Sequence, residues 1–107
     1  KAMKRIIDGK TYNTETATKV CDTGNDLSIG FGHEDSALYI TKKGAFFIAG
    51  NGGPMSRFAR AESQDTWSGG SGIIPLDRGE AFEETMRCAG DWPEKIEKHF
   101  SDMIEDA

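Results

Sequence analysis

The side chains best suited to chemistry in this 107-residue chain are two cysteines and two histidines, spaced as Cys21 with His33 and Cys88 with His99. Four such groups would complete the tetrahedral nitrogen and sulfur donor set of a structural zinc ion. Zinc sites usually contain a close C-x-x-C or H-x-x-x-H pair, which fixes two ligands on one turn, and neither occurs here. The cysteines are therefore expected to be separate, reduced, buried thiols and the histidines surface residues, with no metal bound. His33-Glu34-Asp35, followed by Ser36, offers a general base beside carboxylates. Adjacent residues of a strand point to opposite faces, however, so this run does not by itself assemble a catalytic set.

Glycine clusters raise the question of phosphate binding. A P-loop needs G-x-x-x-x-G-K-[ST], so that backbone amides cradle the phosphates while the lysine and hydroxyl reach the terminal phosphate and metal. Gly9-Lys10-Thr11 supplies the last three residues, but Lys4 stands where the first glycine belongs. Gly50-Asn51-Gly52-Gly53 and Gly69-Gly70-Ser71-Gly72 lack the G-x-G-x-x-G spacing of dinucleotide sites. No cofactor and no catalytic residue is expected. A different chemistry is suggested by Lys42, Lys43, Arg57 and Arg60, which lie close in sequence to Phe46, Phe47 and Phe58. Basic and aromatic side chains together suit single-stranded nucleic acid or an acidic protein groove, whereas lysines at a hairpin tip also simply guard against aggregation.

The totals limit these readings. Eighteen acidic against thirteen basic residues give a formal charge of −5, the wrong sign for non-specific nucleic-acid binding. The charge is uneven, with a basic start and an acidic segment from Asp91 to Ala107. The length fits one domain over residues 1–107, with Lys1-Ala2 expected to be a remnant ahead of a native start at Met3. No apolar run reaches membrane-spanning length and no signal peptide opens the chain, so a cytoplasmic protein with no membrane contact is expected.

The elements that must position these residues can be read from pattern. Asp8-Gly9 between short β-formers predicts a hairpin over 5–12. Asn13 or Thr14 is expected to cap a short helix over Glu15–Cys21, although its threonines lower its propensity. Asp22 to Asp35 has loop composition, with a short edge strand possible through Leu27, Ile29 and Phe31. Leu38-Tyr39-Ile40-Thr41 and Ala45-Phe46-Phe47-Ile48-Ala49 flank Lys42-Lys43-Gly44 and predict a second hairpin over 38–49. A long glycine-rich loop is expected over 50–72, followed by a strand over 73–76. Asp77 and Glu80 have capping-box spacing for a helix over Gly79–Ala89. Asp91, Pro93 and the stripe Trp92, Ile96, Phe100, Met103, Ile104 predict a second helix, Trp92–Glu105. The fold class is α+β: one small antiparallel sheet of the two hairpins and the 73–76 strand, packed by the short N-terminal helix and the two C-terminal amphipathic helices.

Three blocks of the chain, about half of it, resemble a group of small proteins from phages and integrative elements of bacteria. These are Asp8-Gly9-Lys10-Thr11-Tyr12-Asn13-Thr14-Glu15-Thr16-Ala17, the Leu38–Met55 segment LYITKKGAFFIAGNGGPM, and Ile73-Ile74-Pro75-Leu76. The group shares a "DGK-Y-NTETA" opening, a "LY-TKKG-FF--G-GG--S" centre and an "IIPL" strand leading into an acidic helix. The chain departs from it at Asp91 to Ala107, which adds a second helix. Small acidic proteins of mobile elements resemble inhibitors of host defence, of which anti-CRISPR proteins are the familiar case. The resemblance implies a non-enzymatic protein that blocks a host defence protein or nuclease complex sterically, as a monomer or a homodimer.

The surfaces expected to carry such binding are the hairpin tip, Lys42 and Lys43; the glycine-rich loop, with Met55, Arg57, Phe58 and Trp67; and the acidic helix face, with Glu94, Glu97, Asp102 and Glu105. The alternatives are a nucleic-acid-associated regulator using Lys42, Lys43, Arg57 and Arg60, and a small enzyme centred on His33 or a metal.

Overall fold

The computed structural model describes residues 2–25, 31–63 and 66–105. The fold is α+β, as expected. Its strands are β1 (Lys4–Ile7), β2 (Lys10–Asn13), β3 (Thr18–Asp22), β4 (Glu34–Ile40), β5 (Phe46–Gly52), β6 (Arg60–Ser63), β7 (Thr66–Ser68) and β8 (Gly70–Leu76). Two helices follow, α1 (Arg78–Ala89) and α2 (Pro93–Phe100), and a 3-10 turn over Ser101–Met103. The main sheet is antiparallel in the order β3-β4-β5-β8.

The Asp8-Gly9 turn forms as the sequence demands, with both residues in the left-handed region (φ 52° and 77°) that a tight two-residue hairpin requires. The β1–β2 hairpin does not join the main sheet, contrary to expectation. It forms its own two-stranded sheet and lies against one face of the larger one, where Tyr12, Phe47, Ala49 and Ile73 are buried together. Its place in the sheet is taken by β3, where the sequence suggests a helix over Glu15–Cys21. Asn13 does begin a turn, accepting the Glu15 amide on its side chain (2.9 Å) and the Ala17 amide on its carbonyl (3.1 Å). The turn is not propagated. Thr18 and Val20 are β-branched, and pairing with β4 provides long-range hydrogen bonds that an isolated one-turn helix lacks. A bulge between Lys19 and Cys21 interrupts the alternation, so Val20 and Cys21 both enter the same core.

The opposite face of the sheet carries the helices. Alternation along β4, β5 and β8 directs Leu38, Phe46, Ile48 and Ile74 toward Ala81, Phe82, Ala89 and Phe100. Phe100 stacks on Phe46 with ring centres 5.1 Å apart and meets Phe82 edge-on at 5.5 Å. Helix α1 starts with the full capping box: the Asp77 carboxylate accepts the Glu80 amide at 2.8 Å, and Glu80 accepts the Asp77 amide at 2.9 Å. Replacing Asp77 by Ala is expected to cost about 1 kcal/mol, read from urea unfolding.

The second helix ends at Phe100 rather than Glu105, and Trp92, not Asp91, stands at its N-cap without a side-chain bond. Of the expected apolar stripe only Ile96 and Phe100 are buried; Trp92, Met103 and Ile104 are exposed. Arg78 holds this end of the chain. It pairs with Asp102, donates to the His99 carbonyl at 2.8 Å, and lies 5.2 Å from the Phe100 ring centre.

Cys21 and Cys88 are joined in a disulfide between β3 and α1, with Cα atoms 6.2 Å apart. This corrects the expectation of separate reduced thiols. Sequence spacing carried no sign of it, because the pair is 67 residues apart and is brought together only when α1 packs over β3. The expected loop over 50–72 also needs correction. Strand β5 continues through Gly52, β6 and β7 form a hairpin, and β8 starts at Gly70. The glycines allow close packing rather than flexibility: a Cβ at Gly50 would collide with the backbone of Asp35 and Ser36, and one at Gly70 would meet the Phe58 carbonyl at 2.6 Å. Leu27 and Ile29 of the suggested edge strand lie outside the described residues.

Candidate functional site

The strongest candidate surface lies at the end of the sheet where β5 runs into the turn over 53–59. This turn is tied down along its whole length. The Gly53 amide donates to the His33 carbonyl at 2.8 Å, and the Met55 amide to the Phe31 carbonyl at 2.7 Å. Ser56 closes the turn, its hydroxyl donating to the Gly53 carbonyl and accepting the Phe58 amide. Phe58 is buried in the helix-side core. Arg57 also turns inward, leaving its side chain 29% exposed.

Arg57 belongs to a closed ring of polar groups. Its guanidinium donates to Glu34 at 3.0 Å and to Glu84 of α1 at 3.0 and 3.3 Å. Glu84 also accepts from Arg87 at 2.6 Å, and Arg87 donates to the Thr23 carbonyl at 3.1 Å. The Ser36 hydroxyl donates to Glu34 at 2.6 Å. Its single proton is thus used, so the 2.7 Å contact between Thr23 and Ser36 is a donation from Thr23. Thr23, Ser36, Glu34, Arg57, Glu84 and Arg87 therefore link the end of β3, the start of β4, the turn and α1. Burial works against the Glu84 charge, but the two guanidiniums outweigh it and hold its carboxyl below the usual range. Burial likewise opposes the Arg57 charge and is outweighed by both glutamates, which raise its affinity for the proton.

With Arg57 and Phe58 committed inward, Met55 projects outward at 78% exposure, and Phe31, joined to it through the backbone, is 70% exposed. Trp67 is 57% exposed on β7, two residues before Gly69, whose backbone lies against Gly52 and Gly53. Phe31 and Met55 thus share one firmly anchored turn, and Trp67 is exposed on the strand that leads to Gly69 beside it. Met55 and Trp67, which the sequence suggests as contact residues, are both exposed. Sequence reading missed Phe31, whose signal was there: an aromatic flanked by glycines. Arg57 and Phe58 hold the site in place instead of forming its surface.

The expected basic patch is not continuous. Lys42 and Lys43 occupy the β4–β5 turn, while Arg57 and Arg60 lie beyond the other end of β5, about 20 Å away at strand rise. Arg60 donates to the Ser71 carbonyl at 3.3 Å. The hairpin tip instead gathers Lys42 and Lys43 with Lys10, around a groove of about 650 Å³. The acidic residues Glu94, Glu97, Asp102 and Glu105 are exposed near the C-terminus, with Asp102 already paired to Arg78. The candidate residues therefore form three separate surfaces.

The catalytic and metal readings fare differently. Glu34 and Asp35 fall on opposite faces of β4, Glu34 buried in the ring and Asp35 exposed, so the His33-Glu34-Asp35 run is split. The sulfurs of Cys21 and Cys88 are bonded to each other and so are not available as thiolate ligands. Among the described residues, no helix is long and apolar enough to cross a membrane. Comparison with known protein families, curated proteins and solved structures returns no match.

Proposed function

We propose that this protein is a binding protein that works by occlusion, presenting the Phe31, Met55 and Trp67 end to a macromolecular partner. The observation that carries this reading is the exposure of Phe31 and Met55 on a turn held by the Arg57 ring and by Phe58, with Trp67 exposed on the neighbouring strand β7. A preorganised turn loses little entropy on binding, and exposed Trp and Met side chains are effective anchors once desolvated. The resemblance to proteins of mobile elements favours a component of host defence as the partner and steric inhibition as the action.

That partner lies in the bacterial cytoplasm, where thiols are kept reduced. The reading therefore requires the domain to remain folded with the Cys21–Cys88 bond open, while the bonded form suits an oxidising compartment.

Immobilised protein exposed to extract from a defence-proficient host, under oxidising and under reducing conditions, tests both points. The Met55→Ala/Trp67→Ala variant is expected to lose capture by roughly 1,000-fold, about 30-fold for each anchor, because each contributes on the order of 2 kcal/mol. Both side chains are exposed, so its unfolding midpoint should match the wild type. Capture unchanged by the double substitution would overturn the reading.

A further inference from the structure

The hairpin-tip groove has a chemistry of its own. Gly9, Lys10, Thr11, Tyr12 and Thr16 from the N-terminal hairpin and the turn after it face Thr41, Lys42, Lys43 and Ala45 of the β4–β5 turn. The two segments lie some thirty residues apart and meet because β1–β2 packs across the sheet. In a chain of formal charge −5, no acidic side chain among the described residues lines this groove. The ammonium groups of Lys10, Lys42 and Lys43 form no ion pair or hydrogen bond with any described residue.

We propose that this groove binds a compact phosphate-bearing ligand of nucleotide or sugar-phosphate size. The volume lies in the range of small-molecule sites. Ammonium groups are separate point charges, and three of them suit a phosphate with several terminal oxygens; a carboxylate is better matched by the planar fork of arginine, which the groove lacks. Hydroxyls supplement the charge. Thr41 Oγ1 accepts the Ala45 amide at 3.0 Å, which leaves its own proton free to donate, and the Thr11 hydroxyl has no partner among the described residues. A nucleic acid strand fits less well, because the lining aromatic, Tyr12, is buried edge-on against Phe47 and offers no face for base stacking. A guard against strand pairing explains the lysines poorly too, since Lys42 and Lys43 sit in a turn and not on a sheet edge.

Amide chemical shifts of the whole chain, titrated with inorganic pyrophosphate, tri-glutamate and a short single-stranded oligonucleotide, provide the test. Saturable pyrophosphate shifts confined to residues 9–16 and 41–45 are expected. Lys10→Ala and Lys42→Ala should each weaken binding about fivefold, and the double charge reversal Lys10→Glu/Lys42→Glu should abolish it. Met55→Ala/Trp67→Ala should bind pyrophosphate as the wild type does, which separates this site from the apolar end. Shifts spread over Lys4, Arg5, Lys95 and Lys98 would reveal counter-ion condensation only and overturn the proposal. Equal binding of tri-glutamate would overturn the assignment to phosphate, and tighter oligonucleotide binding with a footprint beyond the groove would overturn the assignment to a compact ligand.

Discussion

Reducing the Cys21–Cys88 bond is expected to lower the unfolding free energy by about 4 kcal/mol, the chain-entropy value for a closed loop of 67 residues. Guanidinium unfolding of the oxidised protein, and of the reduced protein with its thiols kept reduced, measures the difference. Reduction leaves both sulfurs in the core, so the comparison isolates the cross-link from packing. A Cys21→Ala/Cys88→Ala variant should fall somewhat further, because Cys21 is buried beside Val20 and Leu38. The bond joins the edge strand β3 to α1, beside the Arg87 donation to the Thr23 carbonyl just past that strand and the Lys95 donation from α2 to the Val20 carbonyl at 3.0 Å. For a domain whose total stability is about 5–15 kcal/mol, the loss decides where the protein can work. A reduced chain that unfolds at growth temperature would exclude the cytoplasmic inhibitor reading. Equal stability in both forms would show that the cross-link contributes nothing and that the helix-side core suffices alone.

Arg57→Ala should cost about 3 kcal/mol, the second-largest effect expected. The substitution leaves Glu34, which is 9% exposed, as a charge deprived of its cationic partner, and removes one of the two guanidiniums that hold Glu84. The loss should depend on pH in a defined direction. Burial opposes the Glu84 charge, but Arg57 and Arg87 more than offset this, so the folded pKa lies below the unfolded one. The pairing therefore contributes fully above the ordinary carboxylate range and is lost as the pH falls through the folded pKa. Urea unfolding of wild type and Arg57→Ala across acid to neutral pH should give curves that converge at the acid end and separate toward neutrality. Parallel curves would contradict the role assigned to the ring. Arg57→Ala should also weaken partner capture although its side chain faces inward, because the turn that presents Met55 is fastened through it.

These two effects mark where sequence reading stops. The hairpins at Asp8-Gly9 and Lys42-Lys43-Gly44 were legible because tight turns place demands on φ that few residue types meet: Asp8, Gly9 and Gly44 all adopt positive φ. The start of α1 was legible for a similar reason, since a capping box is complete within four residues. The segment over 15–21 was not. Its local preferences were weak, and the deciding contribution was the ladder to β4 together with the core that receives Val20 and Cys21. The glycines of 50–72 suggest a loop as long as they are taken singly. In the folded chain Gly50, Gly52, Gly69 and Gly70 are places where strands, the Ser56 turn and the β6–β7 hairpin approach too closely for a Cβ.

The sequence by itself determined the α+β class, the two hairpins, α1 and the surface character of Met55, Trp67, Lys42 and Lys43, all properties set by a few neighbouring residues. The tertiary structure alone decided that Cys21 meets Cys88, that Arg57 faces Glu34 and Glu84 instead of solvent, and that Lys10 joins Lys42 and Lys43. Each of these pairings spans more than twenty residues, and nothing in local propensity encodes a partner at that range. It emerges when buried apolar area, the largest favourable contribution, settles how the helices and the N-terminal hairpin lie on the sheet.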